Sequence, residues 1–280
     1  MKVLITGANG QLGQEFQRLL EQSQIQHLAL SKQQLDITNF RATLEAIENY
    51  APSVVINCAA YNQVDKAENE PHSAIAVNAI GVQNLAYACE KVGATLVHYS
   101  TDYVFSGSKR GLYIESDEPS PLNNYGLSKL IGENLIKNSI QSYLIFRTSW
   151  VFGKGTQNFL YKLSQWASSS KTLRIACDEF SVPTWTYRIA IISLKAIENS
   201  LNGLYHLTSK GFCSRYELAK EFFKLKNKDI EILPAYQSEF NLPAKRPNWS
   251  AMDSTLLLKT LSQEPIEWQE DLERFLKDDL

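Results

Sequence analysis

The chain has 280 residues, 44% of them hydrophobic and 21% charged, with a formal net charge of −2 and a pI near 6.1. That length suits one large domain or two joined ones, and the composition is that of an ordinary soluble globular protein. No global basic footprint for nucleic acid or for an anionic membrane is present, so an acidic ligand needs a local basic pocket.

Met1-Lys2 leads straight into a first predicted strand, Lys2 to Ile5, with no charged leader or long apolar segment before it, so a cytoplasmic location is expected. The strand runs into Thr6-Gly7-Ala8-Asn9-Gly10-Gln11-Leu12-Gly13, and a helical pattern follows at Leu12, Phe16, Leu19 and Leu20. Gly7, Gly10 and Gly13, with Gln11 and Leu12 between them, therefore stand where a strand turns into a helix. There a pyrophosphate can approach backbone N–H groups and the positive end of the helix, so these residues are the candidate dinucleotide cradle.

A second strand is predicted at His27 to Leu30, followed by Ser31-Lys32 where NAD-preferring folds often carry an acid for the ribose hydroxyls. A hydroxyl followed by an ammonium tolerates a 2′-phosphate, so NADPH use at least equal to NADH is expected; a solvated loop charge is the commoner fate of a lysine such as Lys32. A third strand, Ser53 to Asn57, leads into Cys58-Ala59-Ala60-Tyr61, whose small residues allow close approach of a cofactor or simply pack. Pro71 opens a long predicted helix through Val92, and Gly93 stops it.

The fourth strand, Ala94 to Ser100, ends in Ser100-Thr101-Asp102-Tyr103. Asn123 or Asn124 then caps a helix carrying Tyr125 and Lys129, which are four residues apart and rise from one face. A free phenol has a pKa of about 10, and a neighbouring ammonium favours phenolate, bringing the group nearer working pH for proton transfer. Such a pair is common on helix surfaces, and only its context makes it a catalytic candidate. Thr101 caps a strand end or bonds a reacting oxygen.

A fifth strand is predicted at Ser142 to Phe146, after which the pattern loosens. Further strands are expected at Leu173 to Ala176 and Leu204 to His206, with about 171–207 returning to the main sheet. Helices near Ser214 to Leu225 and Glu267 to Leu276 form a smaller unit. The fold expected is thus α/β: a doubly wound parallel (Rossmann) sheet over residues 1–148 with a smaller, mainly substrate-binding α/β lobe over 149–280. Cys58, Cys89, Cys177 and Cys213 show no CxxC spacing, so neither zinc nor a disulfide framework is expected.

The glycine turn, Thr101 and the Tyr125/Lys129 pair resemble the extended short-chain dehydrogenase/reductase superfamily. Val64-Asp65-Lys66-Ala67-Glu68, Ser100-Thr101-Asp102-Tyr103-Val104-Phe105, Arg147-Thr148-Ser149-Trp150, Asp178-Glu179-Phe180-Ser181-Val182-Pro183-Thr184 and Pro243-Ala244-Lys245-Arg246-Pro247 narrow the resemblance to the dTDP-4-dehydrorhamnose reductases. The resemblance implies reduction of the 4-keto group of dTDP-4-dehydro-L-rhamnose by NADPH or NADH, giving dTDP-L-rhamnose for cell-surface polysaccharide such as lipopolysaccharide O-antigen. It implies that Tyr125 protonates the alkoxide, that Lys129 holds the ribose and tunes Tyr125, and that Thr101 polarises the carbonyl. Asp36 and Ile37 would lie beside the adenine, and Thr101, Asp102 and Trp150 would contact the sugar, unless Trp150 is a core aromatic. Lys245 and Arg246, supported by Asn158 and Phe159, are candidates for the diphosphate; a surface charge pair is the competing reading.

Some members of the family are magnesium-bridged dimers using glutamates. Glu15 is present, but Trp185-Thr186-Tyr187-Arg188 lacks the second acid, so no metal site is assigned and a monomer or homodimer is expected. Related dehydratases carry an acidic pair after the threonine, where this chain has Asp102-Tyr103, and epimerases lack the Asp-Tyr-Val-Phe sequence. The regulatory subunit of methionine adenosyltransferase also resembles these reductases, and a binding-only role is the alternative from a different class.

Overall fold

The chain alternates strand and helix from its start: β1 (Lys2–Thr6), α1 (Gln11–Gln22), β2 (Gln26–Leu30), α2 (Phe40–Tyr50) and β3 (Val54–Asn57). Next come α3 (Val64–Asn69), α4 (Pro71–Ile75), α5 (Val82–Val92), β4 (Thr95–Thr101), α6 (Asn124–Ser139) and β5 (Tyr143–Thr148). The second half contributes β6 (Val151–Phe152), α7 (Phe159–Ser169), β7 (Thr172–Ala176), β8 (Phe180–Ser181), β9 (Thr184–Trp185), α8 (Thr186–Glu198) and β10 (Gly203–His206). It ends with β11 (Cys213–Ser214), α9 (Arg215–Leu225), β12 (Glu231–Ala235), α10 (Thr255–Thr260) and α11 (Trp268–Asp278). This is a computed structural model and it describes residues 1–278.

Six strands form one parallel sheet in the order β10-β5-β4-β3-β1-β2, as the doubly wound expectation requires. Strand order reverses between β1 and β3, and ligands of such sheets gather at that switch point, beyond the carboxyl ends of the strands. Alternate strand residues serve opposite layers. Val3, Ile5, Ile56, Val97 and Phe146 pack with Phe16 and Leu20 of α1 and with Ile189 and Ile192 of α8. Leu4, Val55, Leu96 and Ile145 face the other way, onto Ile47 of α2, Val82 and Leu85 of α5, and Ile136 of α6. Each such side chain contributes roughly 1.5–3 kcal/mol by leaving water, which is what holds the strand ends in register. A third core, with Phe152, Leu163, Ile175, Phe222, Leu272 and Phe275, belongs to the second half.

The helix expected from Pro71 to Val92 is one run with a π-helical turn at Ala76–Gly81 in its middle, and Gly93, at φ +71°, caps its end. Of the two strands expected to return to the main sheet, Gly203–His206 does so beside β5, whereas Thr172–Ala176 pairs in parallel with β12 instead. The reason is legible in its burial, which alternates along Thr172, Leu173, Arg174 and Ile175. A strand inside a doubly covered parallel sheet is apolar on both faces. No strand was expected from the sequence at β12.

Candidate active site

The glycine turn joins β1 to α1 under tight contact. Gly7 has φ +67°, and a Cβ there would lie 2.6 Å from Ala59 N; one on Gly13 would lie 2.5 Å from Gly7 O. Backbone therefore meets backbone at the switch point with no room for side chains. Gly10 precedes α1 without a side-chain cap, and the first turn of the helix has no acid, so its free N–H groups and positive end suit an anion. Leu12 packs on the core below. Gln11 donates to Val151 O at 3.3 Å and accepts from Asn158 Nδ2 at 3.2 Å, tying the cradle to the second half of the chain.

At the end of β2, the N–H and hydroxyl of Ser31 both engage Gln34 Oε1 at 2.9 Å, and Lys32 is exposed. Asp36 accepts from the backbone N–H and hydroxyl of Thr38, which hold its carboxyl below the usual range, and Ile37 is buried. Ala59 is half-buried and Ala60 exposed. Tyr61 is fixed through its backbone: its N–H donates to Asn78 Oδ1 at 2.8 Å, while Asn78 Nδ2 donates to Tyr61 O at 2.8 Å and to Ser128 Oγ at 2.9 Å. Asn78 sits in the π-helical turn and Ser128 on α6, so the turn aims one amide at both the cofactor-side loop and the helix of Tyr125.

α6 starts at Asn123, whose side chain accepts from Gly126 N at 2.8 Å. In the first turn, burial pushes the Tyr125 phenol up to about 12, with the neighbouring Thr101 hydroxyl pulling the other way. That is opposite to the direction expected from pairing with Lys129. The bonds of Lys129 Nζ instead go to Tyr99 O at 2.6 Å and to His98 Nε2 at 3.3 Å, both on β4. Burial pulls Lys129 down to about 8, while Glu133 raises it.

Thr101 donates to Asp102 Oδ1 at 3.1 Å and accepts from Tyr103 N at 3.2 Å. Asp102, read from the sequence as a sugar contact, is buried, and its carboxyl also accepts from Ser181 Oγ at 2.8 Å and Ser250 Oγ at 2.5 Å. Burial raises it to about 6 against those hydroxyls. These bonds tie the Thr101 segment to β8 and to the loop of Ser250 in the second half. Beside it the Tyr103 hydroxyl donates to Glu179 at 3.2 Å, and Arg215 pairs with Glu179 at 3.5 Å.

Trp150 has φ +41°, a strained conformation for a bulky residue, and the guanidinium of Arg215 lies 3.7 Å from its ring centroid. Its indole Nε1 is buried without a partner. Asn158, expected to support a diphosphate, is buried; it caps α7 through Tyr161 N and donates to Gly153 O at 2.8 Å. Arg246 donates to Asp65 Oδ2 at 2.7 Å and to Ala244 O at 2.9 Å. The two motifs quoted at Asp65 and Arg246 thus pair with each other. Lys245 is exposed, and its carbonyl accepts from Asn123 Nδ2 at 2.9 Å.

His98, Asn78 and Glu133 were not singled out as functional from the sequence. The signal was present in His98, a polar residue inside an apolar strand. Glu15, the acid considered for magnesium, is bonded by Arg18 Nε at 3.0 Å.

Residues 1–280 match the protein-family model described as "RmlD substrate binding domain". A spore coat polysaccharide biosynthesis protein of Bacillus subtilis is 35% identical over 277 residues, covering 99% of this chain and 97% of that one. The crystal structure of a dTDP-4-dehydrorhamnose reductase from Clostridium acetobutylicum superposes with a TM-score of 0.96 at 40% identity, covering 99% of both chains. That of dTDP-4-dehydrorhamnose reductase from Bacillus anthracis, in complex with NADP, does so with a TM-score of 0.96 at 38% identity, covering 99% of this chain and 100% of that one.

Proposed function

The chain belongs to the dTDP-4-dehydrorhamnose reductase family, and from that premise we propose that it reduces the 4-keto group of dTDP-4-dehydro-L-rhamnose with NADPH or NADH. The product, dTDP-L-rhamnose, serves cell-surface polysaccharide. The observation that carries this reading is the Tyr125 phenol next to the Thr101 hydroxyl, together with a glycine cradle, in a chain that the family model matches over residues 1–280.

The cradle suits a dinucleotide because Gly7 and Gly13 leave backbone exposed where any Cβ would clash. Residues that would hold it are Gly7, Gly10, Gln11, Leu12 and Gly13, then Ser31 and Lys32 at the 2′-phosphate, Asp36 and Ile37 beside adenine, Ala59 to Tyr61, Tyr125 and Lys129. When bound, the reduced nicotinamide supplies the hydride. Tyr125 gives its phenolic proton to the oxygen that becomes the C4 hydroxyl; a phenol held near 12 is fully protonated at neutral pH and acts as an acid. Thr101 orients that phenol. To polarise the substrate carbonyl it must turn its O–H away from Asp102. Trp150 meets the sugar, its unpartnered N–H supporting that place, and Lys245 meets the diphosphate, while Asp102, Asn158 and Arg246 fix the loops behind them.

We assign residues 1–148 to the dinucleotide unit and 149–280 mainly to the substrate unit, in a monomer or homodimer that acts in the cytoplasm and binds no nucleic acid. No helix among the described residues is long and apolar enough to cross a membrane. Dehydration is disfavoured because Tyr103, standing where dehydratases carry an acid, is buried and bonded to Glu179.

The test follows reduced-nicotinamide absorbance with purified protein and enzymatically generated dTDP-4-dehydro-L-rhamnose, with the product identified by NMR couplings. Stoichiometric oxidation with formation of dTDP-L-rhamnose is expected; cofactor binding without turnover would point to the binding-only role. Gly7→Ala is expected to abolish NADPH binding in a fluorescence titration, since the left-handed backbone alone costs ~1–2 kcal/mol and the added Cβ also meets Ala59 N.

A further inference from the structure

Two polar side chains interrupt the aliphatic strands below Lys129: Asn57, ending β3, and His98, within β4, at 1% and 0% exposure. Their hydrogen bonds can be assigned atom by atom. Asn57 Oδ1 accepts from the backbone N–H of Ala59 at 3.1 Å and from Thr6 Oγ1 at 2.6 Å. A backbone N–H only donates, so the amide oxygen lies on that side and Asn57 Nδ2 faces His98 Nδ1 at 3.0 Å. Nδ1 is therefore bare, and the neutral ring carries its proton on Nε2. That nitrogen stands 3.3 Å from Lys129 Nζ, which already donates to Tyr99 O. An ammonium has donors and no acceptor, so His98 sets an N–H against an N–H. The contact is satisfied when Lys129 loses a proton and offers a lone pair.

We propose that His98 is a positioning residue for the reduction: fixed by Asn57 with its proton on Nε2, it opposes the charge on Lys129 and sets the pH above which the enzyme loses that cation. The proposal rests on the reading of Lys129 as the cation that holds the cofactor. The other groups around Lys129 are consistent with it. On α6, Tyr125 lies one turn before and Glu133 one turn after, and Glu133, bound to Arg147 of β5, favours the charged form. On β4 the phenol of Tyr99 is turned away to Ser193, and past β3 the Cys58 thiol is pushed far up by burial. Burial, with the charge of Lys129 second, keeps His98 well below its usual value and neutral. The Lys129 cation is thus present below about pH 8 and lost above it, which gives turnover an alkaline limb there.

Nitrogen NMR of the ligand-free protein, labelled at lysine Nζ and at the histidine rings, tests this directly. His98 is expected to show a bare Nδ1 and a protonated Nε2, and the Lys129 signal, identified by its loss in Lys129→Met, to titrate near pH 8. In His98→Gln the amide can turn its oxygen toward Nζ. The Lys129 midpoint should then rise by about one unit, a tenfold gain in proton affinity, and the alkaline limb of kcat/KM should rise with it. A proton on Nδ1 in the parent protein overturns the proposal even if the variant fails to fold. So does a Lys129 midpoint unmoved by His98→Gln. The titrations use neither cofactor nor substrate, so expected NMR behaviour without sugar turnover would sink the reaction assignment and leave the His98–Lys129 coupling standing.

Discussion

Tyr125→Phe is expected to lose about 10²–10⁴-fold in kcat while binding reduced cofactor as the parent protein does. The substitution removes one hydroxyl and keeps the ring, so the edge-on packing against Tyr103, with ring centroids 6.0 Å apart, is retained. The start of α6 is set by Asn123 and the following turn by Ser128, neither of which uses the phenol. Burial raises the phenol to about 12, so the parent acid stays protonated throughout the neutral range and loses nothing there. Steady-state turnover, read beside a calorimetric titration with NADPH, separates the two effects. Near-parental kcat in the variant would remove Tyr125 as the principal acid, and loss of cofactor binding would show that the hydroxyl has a structural role.

Local signals carried the first half of the fold. Lys2–Thr6, Val54–Asn57 and Thr95–Thr101 are short aliphatic runs closed by turn or helix signals, and Asn123 and Gly93 mark helix ends by their own chemistry. The placement of Gly7 and Gly13 followed from their neighbours in sequence. What remained hidden is long-range. Asp102 meets Ser181 and Ser250 at separations of 79 and 148 residues, and Arg246 meets Asp65 across 181, so each motif could be quoted but its partner could not. In the fold Arg246 pairs with Asp65, and Asp102 takes hydroxyl donors from Ser181 and Ser250. The direction of the Tyr125 shift was missed for the same reason. Helix spacing places Lys129 on the same face, but only β4, through Tyr99 O and His98, decides where the ammonium goes.

The largest loss of stability is expected from Glu133→Gln, about 3–5 kcal/mol, read as a lower urea midpoint at unchanged slope. Glu133 is fully buried and accepts from Ser100 Oγ at 2.5 Å, Arg147 Nε at 3.0 Å and Arg147 Nη2 at 2.7 Å. Arg147 is itself 2% exposed, with Nη1 unpartnered and its guanidinium 5.1 Å from the Phe105 ring centroid. Neutralising the carboxylate leaves that charge uncompensated in the core. Replacing both partners by apolar residues, Glu133→Leu with Arg147→Met, should recover most of the loss, because a buried pair often contributes little beyond its own desolvation. If stability were its whole purpose, the double variant would then behave as the parent enzyme. Glu133, however, lies one turn after Lys129 and favours its charged form. Removing the carboxylate lowers the affinity of Lys129 for its proton, so the cation disappears at a lower pH and the alkaline limb of kcat/KM moves down from about 8 even where the fold is restored. A double variant that regains stability and keeps the parental pH profile would confine the pair to the core; one that regains stability with a shifted limb would place Glu133 and His98 as opposing controls on Lys129.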